Sequence, residues 1–333
     1  MTGTRGTRKR GKRSARNELC ILGIDVGGTN IRAGLFNPRA GSIRCIRAIR
    51  TEAAKGGDHS LDRVAMLAHE VVAAGEAEGL RAGRVGIGIP ELVGMSEQIE
   101  SSCSLDWSAD SVRARLRNHG RVTIASDVRA AALAEARLGA GREQPAFLYV
   151  SVGTGISCTL VIDGKPYAGT HGHAISFASG PTFVTAGADG TSNSEALEAR
   201  ASGPGILRRA QSLGLQEPDA IAVCRAALAA PGIARDVVDA AATELAIHVA
   251  IVANALDPAL IVLGGGLGCA PGRYWASFRA AFPRYAWGPY AHRLRVCRAR
   301  LGPKAGMIGA ALSALEAGNE PRRRRYGNGE RSV

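Results

Sequence analysis

One local pattern constrains this chain more than any other: an apolar strand that ends in a glycine-rich turn and resumes as a second strand, occurring twice. Leu19-Cys-Ile-Leu-Gly-Ile-Asp-Val26 breaks at Gly27-Gly28 and continues from Ile31 to Phe36, the signature of a β-hairpin with a glycine turn. Phe147-Leu-Tyr-Val-Ser-Val152 repeats the arrangement with the turn Gly153-Thr154-Gly155 and a strand over 157–162. Two such units, irregularly spaced, predict an internally duplicated architecture. A third glycine turn, Gly264-Gly265-Gly266, closes the buried run Leu260-Ile-Val-Leu263. Elsewhere, helical spacing predicts helices over 60–80, 128–138, 194–202, 234–256 and 306–315, and short apolar runs predict strands over 85–89 and 122–125. This alternation of strands and helices is an α/β pattern, in which ligands sit beyond the C-terminal ends of strands.

The turns carry chemistry. In Asp25-Val-Gly-Gly-Thr-Asn30 the residues Gly27 and Gly28 let backbone N–H groups approach a polyphosphate, and Thr29 and Asn30 add side-chain donors. Asp25 stands where an acid holds, through water, the Mg2+ that accompanies phosphates. Alone, such a turn is an ordinary hairpin. Three at strand ends fit a nucleotide lying in a cleft between two lobes. No Gly-Lys-Ser/Thr follows either loop and neither is a G-x-G-x-x-G sequence, which excludes the P-loop and dinucleotide fingerprints. Between the loops, Asp127 stands at the junction of a short strand and a helix. It is either a helix cap or a base that takes a proton from an attacking hydroxyl, and on position alone the cap is the stronger reading.

Composition removes other classes. With 333 residues and 46% apolar content the chain is long enough for two α/β domains. The formal charge of +13 resides mainly in the ends: residues 1–18 carry seven Arg or Lys against Glu18, and residues 320–333 carry five Arg against two Glu. The body is nearly balanced and only 5% aromatic, so neither a basic groove nor base stacking is expected, and nucleic acid is not a partner. The tails read as solvated, disordered ends. Seven scattered cysteines show no C-x-x-C spacing, which argues against a disulfide framework and for reduced thiols in a cytoplasm. No apolar stretch approaches the length of a membrane span.

Leu22-Gly-Ile-Asp-Val-Gly-Gly-Thr-Asn-Ile-Arg32, Gly86-Ile-Gly-Ile-Pro90, Ser126-Asp-Val-Arg-Ala-Ala-Ala-Leu-Ala-Glu135, Gly153-Thr-Gly-Ile156, Leu197-Glu-Ala-Arg-Ala-Ser-Gly203 and Asp257-Pro-Ala-Leu-Ile-Val-Leu-Gly-Gly-Gly266 together resemble the ROK family of repressors and sugar kinases, over roughly residues 19 to 315. The resemblance implies a two-lobed actin/hexokinase-type (ribonuclease H-like) fold with ATP and sugar between the lobes. Residues 19–126 and 300–318 would form the N-terminal lobe with a returning helix and 127–299 the C-terminal lobe, with 1–18 and 319–333 as tails. It makes Asp127 the catalytic base and the three glycine turns the ATP site. The sugar contacts it implies are Pro90, Glu91, Ser126, Asp127, His173, Ser176 and Glu198. Only basic residues without a core precede the first strand, so the resemblance is to the kinase branch, and a homodimer is compatible with it.

The departures from the family pattern are informative. Where the family has Gly-Glu-x-Gly-His, Gly172-His-Ala-Ile-Ser-Phe-Ala-Ser179 places Ser176 and Ser179 at the glutamate and histidine positions. Its Cys-x-Cys-Gly-x-x-Gly-Cys zinc loop is replaced by the cysteine-free residues 182–196, so no structural zinc is expected. Ser126 stands for the asparagine before the catalytic aspartate. His171 and His173 are equally substitutes for the missing ligand or loop histidines facing solvent. The expected activity is ATP-dependent phosphorylation of a hexose at the 6-hydroxyl, with an amino sugar such as kanosamine favoured over glucose. An ordinary glucokinase and a catalytically degenerate, sugar-sensing regulator are the alternatives.

Overall fold

The protein is described as a computed structural model covering residues 18–186, 192–288 and 293–319. The expectations for the basic tails, and part of those for the 182–196 stretch, therefore lie outside the described residues.

The first half contains β1 (Glu18–Val26), β2 (Asn30–Asn37), β3 (Ser42–Arg50), α1 (Gly57–Ala77), β4 (Leu80–Ile89), α2 (Ala109–Leu116), β5 (Arg121–Ser126) and α3 (Asp127–Leu138). The second contains β6 (Ala146–Val152), β7 (Ile156–Ile162), β8 (Lys165–Pro166), the hairpin β9 (Pro181–Ala186) and β10 (Ser192–Ala196), then α4 (Leu197–Ala201), α5 (Gly203–Ser212), α6 (Ala220–Ala229) and α7 (Ile233–Leu256). It closes with β11 (Leu260–Gly264), α8 (Gly265–Cys269), α9 (Arg273–Tyr285), β12 (Arg295–Arg298) and α10 (Ala305–Asn319).

The duplication expected from the two hairpins is present as topology. One sheet has the order β3-β2-β1-β4-β5 and the other β8-β7-β6-β11-β12. In each, the hairpin strands pair antiparallel, as β1 with β2 and β6 with β7, and the later strands add in parallel, as β4 and β5 or β11 and β12. Each half then sends out a helix, α3 after β5 and α10 after β12, and these two helices pack on each other.

Between the sheets lies a shared core. Ile21 and Phe36 come from the first sheet, Phe147, Tyr149, Leu260 and Val262 from the second, and Ala132, Leu133, Ile308 and Ala311 from the two helices. The outer face of the first sheet is covered by α1, whose Val64, Leu67 and Val71 recur at helical spacing against Leu22, Ile24, Ile31 and Val85. The second sheet buries its outer face under the alanine-rich α7 and under α9. Helix α10 lies very close to β1 and β4: a Cβ on Gly86 would come within 1.8 Å of the Ala310 carbonyl oxygen.

Two chain crossings join the halves, and one buried carboxylate serves both. Glu135 on α3 accepts hydrogen bonds from the Ala140 N–H at 2.6 Å, the Arg300 N–H at 3.1 Å and the Leu301 N–H at 2.8 Å. Its side chain is fully buried, so these backbone donors are what makes its charge tolerable there. One expectation is corrected: the helix read over 194–202 begins only at Leu197, because Ser192–Ala196 pair with β9.

Candidate active site

The three glycine turns meet. The Thr29 and Thr154 hydroxyls, 125 residues apart in sequence, are 3.1 Å from one another. The first turn is closed by the Gly27 N–H donating to the Asn30 carbonyl at 2.9 Å and braced by the Thr51 hydroxyl donating to the Gly27 carbonyl at 2.6 Å. In the second turn the Gly153 N–H donates to the Gly155 carbonyl at 2.9 Å, and the Gly203 N–H at the start of α5 donates to the Gly153 carbonyl at 2.9 Å. The third turn presses on the second: Gly265 has φ +76°, and a Cβ there would lie 2.4 Å from the Val152 carbonyl oxygen. Only glycine satisfies both conditions. The backbone at Gly153, Gly155, Gly264 and Gly266 thus lies at one junction with Gly27 and Gly28.

Two carboxyls face this junction. Asp25 is the penultimate residue of β1 and packs against Gly306 in the first turn of α10. Burial pushes its pKa up to about 6, opposed only by the Arg32 charge. Asp127 is the first residue of α3, so it is not the cap; that position belongs to Ser126, whose hydroxyl makes no capping bond. Burial first, and the neighbouring Asp25 charge after it, raise the Asp127 pKa to about 7, while the Val128 N–H donating to its Oδ1 at 2.6 Å works the other way. A carboxyl poised near neutrality is the state a general base requires. Ser126 Oγ is fully buried, lies beside the Asp127 carboxyl outside hydrogen-bond geometry, and has no partner among the described residues.

The expected sugar residues divide. Glu198, in the first turn of α4, accepts the Ile156 N–H at 2.7 Å through Oε2, which puts its carboxylate beside the second glycine turn. Its other oxygen makes no hydrogen bond among the described residues. Pro90 follows β4 directly, and Ser176 and Ser179 are exposed on the loop after β8.

Glu91 differs from the expectation. Its Oε2 accepts from the Ser101 hydroxyl and the Cys103 N–H, and its Oε1 from the Ser104 N–H at 2.5 Å and the Leu105 N–H at 2.7 Å. Four donors fill the lone-pair directions of a carboxylate. Glu91 is the buried clamp of the 101–105 loop and has no acceptor left for a sugar. His173 is likewise engaged, its Nε2 lying 2.6 Å from Glu100 Oε2.

Sequence reasoning missed Arg129. Its Nη1 donates to the Gly172 carbonyl at 2.5 Å and its Nη2 to the Val93 carbonyl at 2.7 Å, so one guanidinium two residues after Asp127 ties together the loop after β4 and the loop after β8. Burial lowers its pKa, and no carboxylate pairs with it among the described residues. A lone arginine in an alanine-rich helix carries no spacing signal from which this could have been read. Among the described residues no group of three or more His, Cys, Asp or Glu is arranged to hold a metal, and no helix is long and apolar enough to cross a membrane.

The chain is similar to known proteins over most of its length. The bifunctional enzyme NanE/NanK of Brucella melitensis is 32% identical over 299 residues, which are 87% of this chain and 53% of that protein; the chain thus spans about half the length of that relative. The kanosamine kinase of Amycolatopsis mediterranei is 32% identical over 314 residues, 90% of this chain and 97% of that one. Among solved structures, the ROK glucokinase of Streptomyces griseus in complex with glucose and AMPPNP superposes with a TM-score of 0.74 at 25% identity, covering 89% of this chain and 99% of that one. The two-sheet architecture is therefore the actin/hexokinase-type fold. The ROK family profile matches residues 21–317, and the chain belongs to the ROK family.

Proposed function

We propose that this chain is an ATP:sugar phosphotransferase that transfers the γ-phosphoryl group to the 6-hydroxyl of a hexose, a modified hexose such as an amino sugar being preferred to glucose. The observation that carries the reading is the convergence of three glycine turns on a junction faced by Asp127, whose pKa of about 7 suits proton transfer at neutral pH. The relatedness to kanosamine kinase over nearly the whole of both chains supports the substrate class. The lobes divide in this reading at 126/127 and 299/300.

Each part then has a task. Backbone N–H groups at the turns of 27–30 and 153–155 cradle the phosphates, with the Thr29 and Thr154 hydroxyls as further donors, and the 264–266 turn borders the nucleoside. The sugar hydroxyl gives its proton to the Asp127 carboxylate as its oxygen bonds to the γ-phosphorus. The bond from phosphorus to the bridging oxygen breaks, and ADP leaves with that electron pair. Asp25 suits Mg2+ held largely by phosphate oxygens, because a carboxylate already destabilised by burial gains from a nearby cation. When bound, that metal neutralises charge developing on the phosphates.

The sugar preference rests on one unmet buried polar group and on two shortened side chains. Ser126 Oγ is a buried hydroxyl without a partner among the described residues, and the exposed Ser176 and Ser179 are short where the family carries a glutamate and a histidine. A buried polar atom left unpaired favours a ligand that supplies the matching group. Glu198 and Asp127 hold the rest of the ring, Glu91 serves only through the loop it clamps, and His173 enters with its ring fixed by Glu100. ATP consumption across glucose, 2-amino, 3-amino and N-acylated hexoses, with the position of the phosphate identified, tests the proposal. An amino or acylamino hexose is expected to show the highest kcat/KM. Glucose equal to all of them would refute the preference, and no turnover with any hexose would refute the activity.

A further inference from the structure

The stretch leading into α4 stands where the family carries its zinc loop, and its donor set does not fit that metal. Residues 182–196 hold no cysteine and no histidine, the matched histidine is Ser179, and among the described residues no group of three or more His, Cys, Asp or Glu converges there. The helix that follows still has to be fixed by tertiary contacts, because α4 has five residues and a helix so short has no stability of its own.

Side chains supply the contacts. Arg200 on α4 donates through Nε to Glu244 Oε2 at 3.1 Å and through Nη2 to Glu244 Oε1 at 2.8 Å, a two-pronged pair with α7. Its Nη1 donates to Glu195 Oε2 on β10 at 2.7 Å, and its guanidinium carbon lies 4.5 Å from the centre of the Phe183 ring on β9. Phe183 and Glu195 are register partners, so one face of the hairpin meets this one side chain. Arg209 on α5 donates to Glu244 Oε2 at 3.0 Å, which makes Glu244, with its side chain only 14% exposed, the acceptor of two guanidiniums. His248, one turn further along α7, has Nδ1 2.8 Å from the Glu244 carbonyl oxygen and Nε2 2.9 Å from the Thr182 hydroxyl on β9. The hairpin and three helices are thereby tied at one place.

The tie has a direction. Successive helical residues are about 100° apart, so Glu198 and Arg200 project from nearly opposite sides of α4. On one side Glu198 Oε2 meets the Ile156 N–H beside the second glycine turn, and on the other Arg200 is gripped by Glu244 and Glu195. We propose that Arg200 is a positioning residue for the sugar: gripped in this way, it sets the rotation of α4 and with it the Glu198 carboxylate, and no metal takes part. The proposal rests on the reading of Glu198 as a sugar ligand and of the chain as a kinase, and the test separates these.

The experiment measures calorimetric affinities for MgATP and for glucose and its 2-amino, 3-amino and N-acylated derivatives, with kcat and Tm, in wild type, Arg200→Met, Arg200→Lys, Glu198→Gln and the Glu198→Gln, Arg200→Met double variant. For the tightest-binding sugar, Arg200→Met is expected to raise Kd about tenfold or more, with kcat at saturating sugar within about threefold and MgATP affinity within about twofold of wild type. Arg200→Lys should recover only part of the loss, because an ammonium keeps the charge but not the fork. In the Glu198→Gln background, Arg200→Met should add less than about twofold, since both substitutions act through one carboxylate. A lowered Tm with unchanged sugar affinity, or the same loss of affinity in both backgrounds, would overturn the proposal and leave Arg200 a structural residue. Treatment of wild type with a zinc chelator should leave the sugar Kd unchanged, and a loss restored by Zn2+ would overturn the metal-free tie. Sugar binding without turnover would overturn the kinase reading alone, whereas no binding of any of these sugars would overturn both readings.

Discussion

Removing the charge of Asp127 should make this protein more stable as well as inactive, and the size of the gain follows from the site. Its carboxyl titrates near 7 in the fold against an ordinary value of 3.8. The folded state therefore holds its proton more tightly than the unfolded chain, and folding is penalised increasingly as pH rises from about 4 to about 7. Roughly three pKa units correspond to about 4 kcal/mol at most. Asp127 is only partly shielded from solvent, and part of the effect is shared with Asp25, so about half of that is the expected realised value. For a chain of this length, about 2 kcal/mol raises Tm by about 3 °C. Asp127→Asn keeps the shape and carries no charge. Its thermal unfolding measured beside wild type should show the full gain at pH 8 and a gain that shrinks steadily toward pH 4. An equal difference at every pH, or a loss of stability at pH 8, would show that Asp127 is a structural residue whose charge the fold welcomes.

Other consequences are as direct. The kcat/KM for sugar should rise with pH through about 7 as Asp127 ionises in the free enzyme, and a profile flat from pH 5.5 to 8 would remove it as the base. Gly86→Ala should cost about 2–3 kcal/mol in urea unfolding, because its Cβ would overlap the Ala310 carbonyl of α10; a change under about 0.5 kcal/mol would mean that the helix moves freely off the sheet. Arg129→Met should raise the sugar KM about tenfold or more while leaving that for ATP nearly unchanged, because it releases Val93 and Gly172 from one another; equal effects on both substrates would contradict the proposed sugar role of the two loops it joins. Glu91→Gln replaces an acceptor of four hydrogen bonds by a group with two acceptor sites, and faster amide exchange over 101–105 is expected, with wild-type protection as the contrary result.

The parts of this molecule that could be read from the sequence are those with a local cause. A glycine turn between two apolar runs is a hairpin wherever it occurs, so β1, β2, β6 and β7 were legible, and their recurrence pointed to an internal duplication, which the fold shows as two sheets of equal topology. Helix α3 was legible because alanine runs are helical, although only the fold shows that Asp127 sits inside the helix and Ser126 before it. The unread parts depend on partners distant in the chain. Glu91 and the 101–105 backbone, Glu135 with Ala140 and Leu301, Arg129 with Val93 and Gly172, and Glu100 with His173 are single polar residues whose roles are defined by loops brought together in three dimensions. Strand β3 escaped because its arginine-rich alternation at a sheet edge lacks a buried face, and β10 because 194–202 read as one helix although Ser194, Glu195 and Ala196 pair with β9.

The central claim is that Asp127 accepts the proton of a sugar hydroxyl during phosphoryl transfer from ATP, and single-turnover transfer by Asp127→Asn at pH 8 tests it most directly. With MgATP and the preferred hexose both saturating, the rate should fall by about 10² or more while the measured affinities for MgATP and for the sugar stay within about twofold of wild type. Transfer at close to the wild-type rate with binding intact would contradict the claim and leave Asp127 without a role in the chemistry.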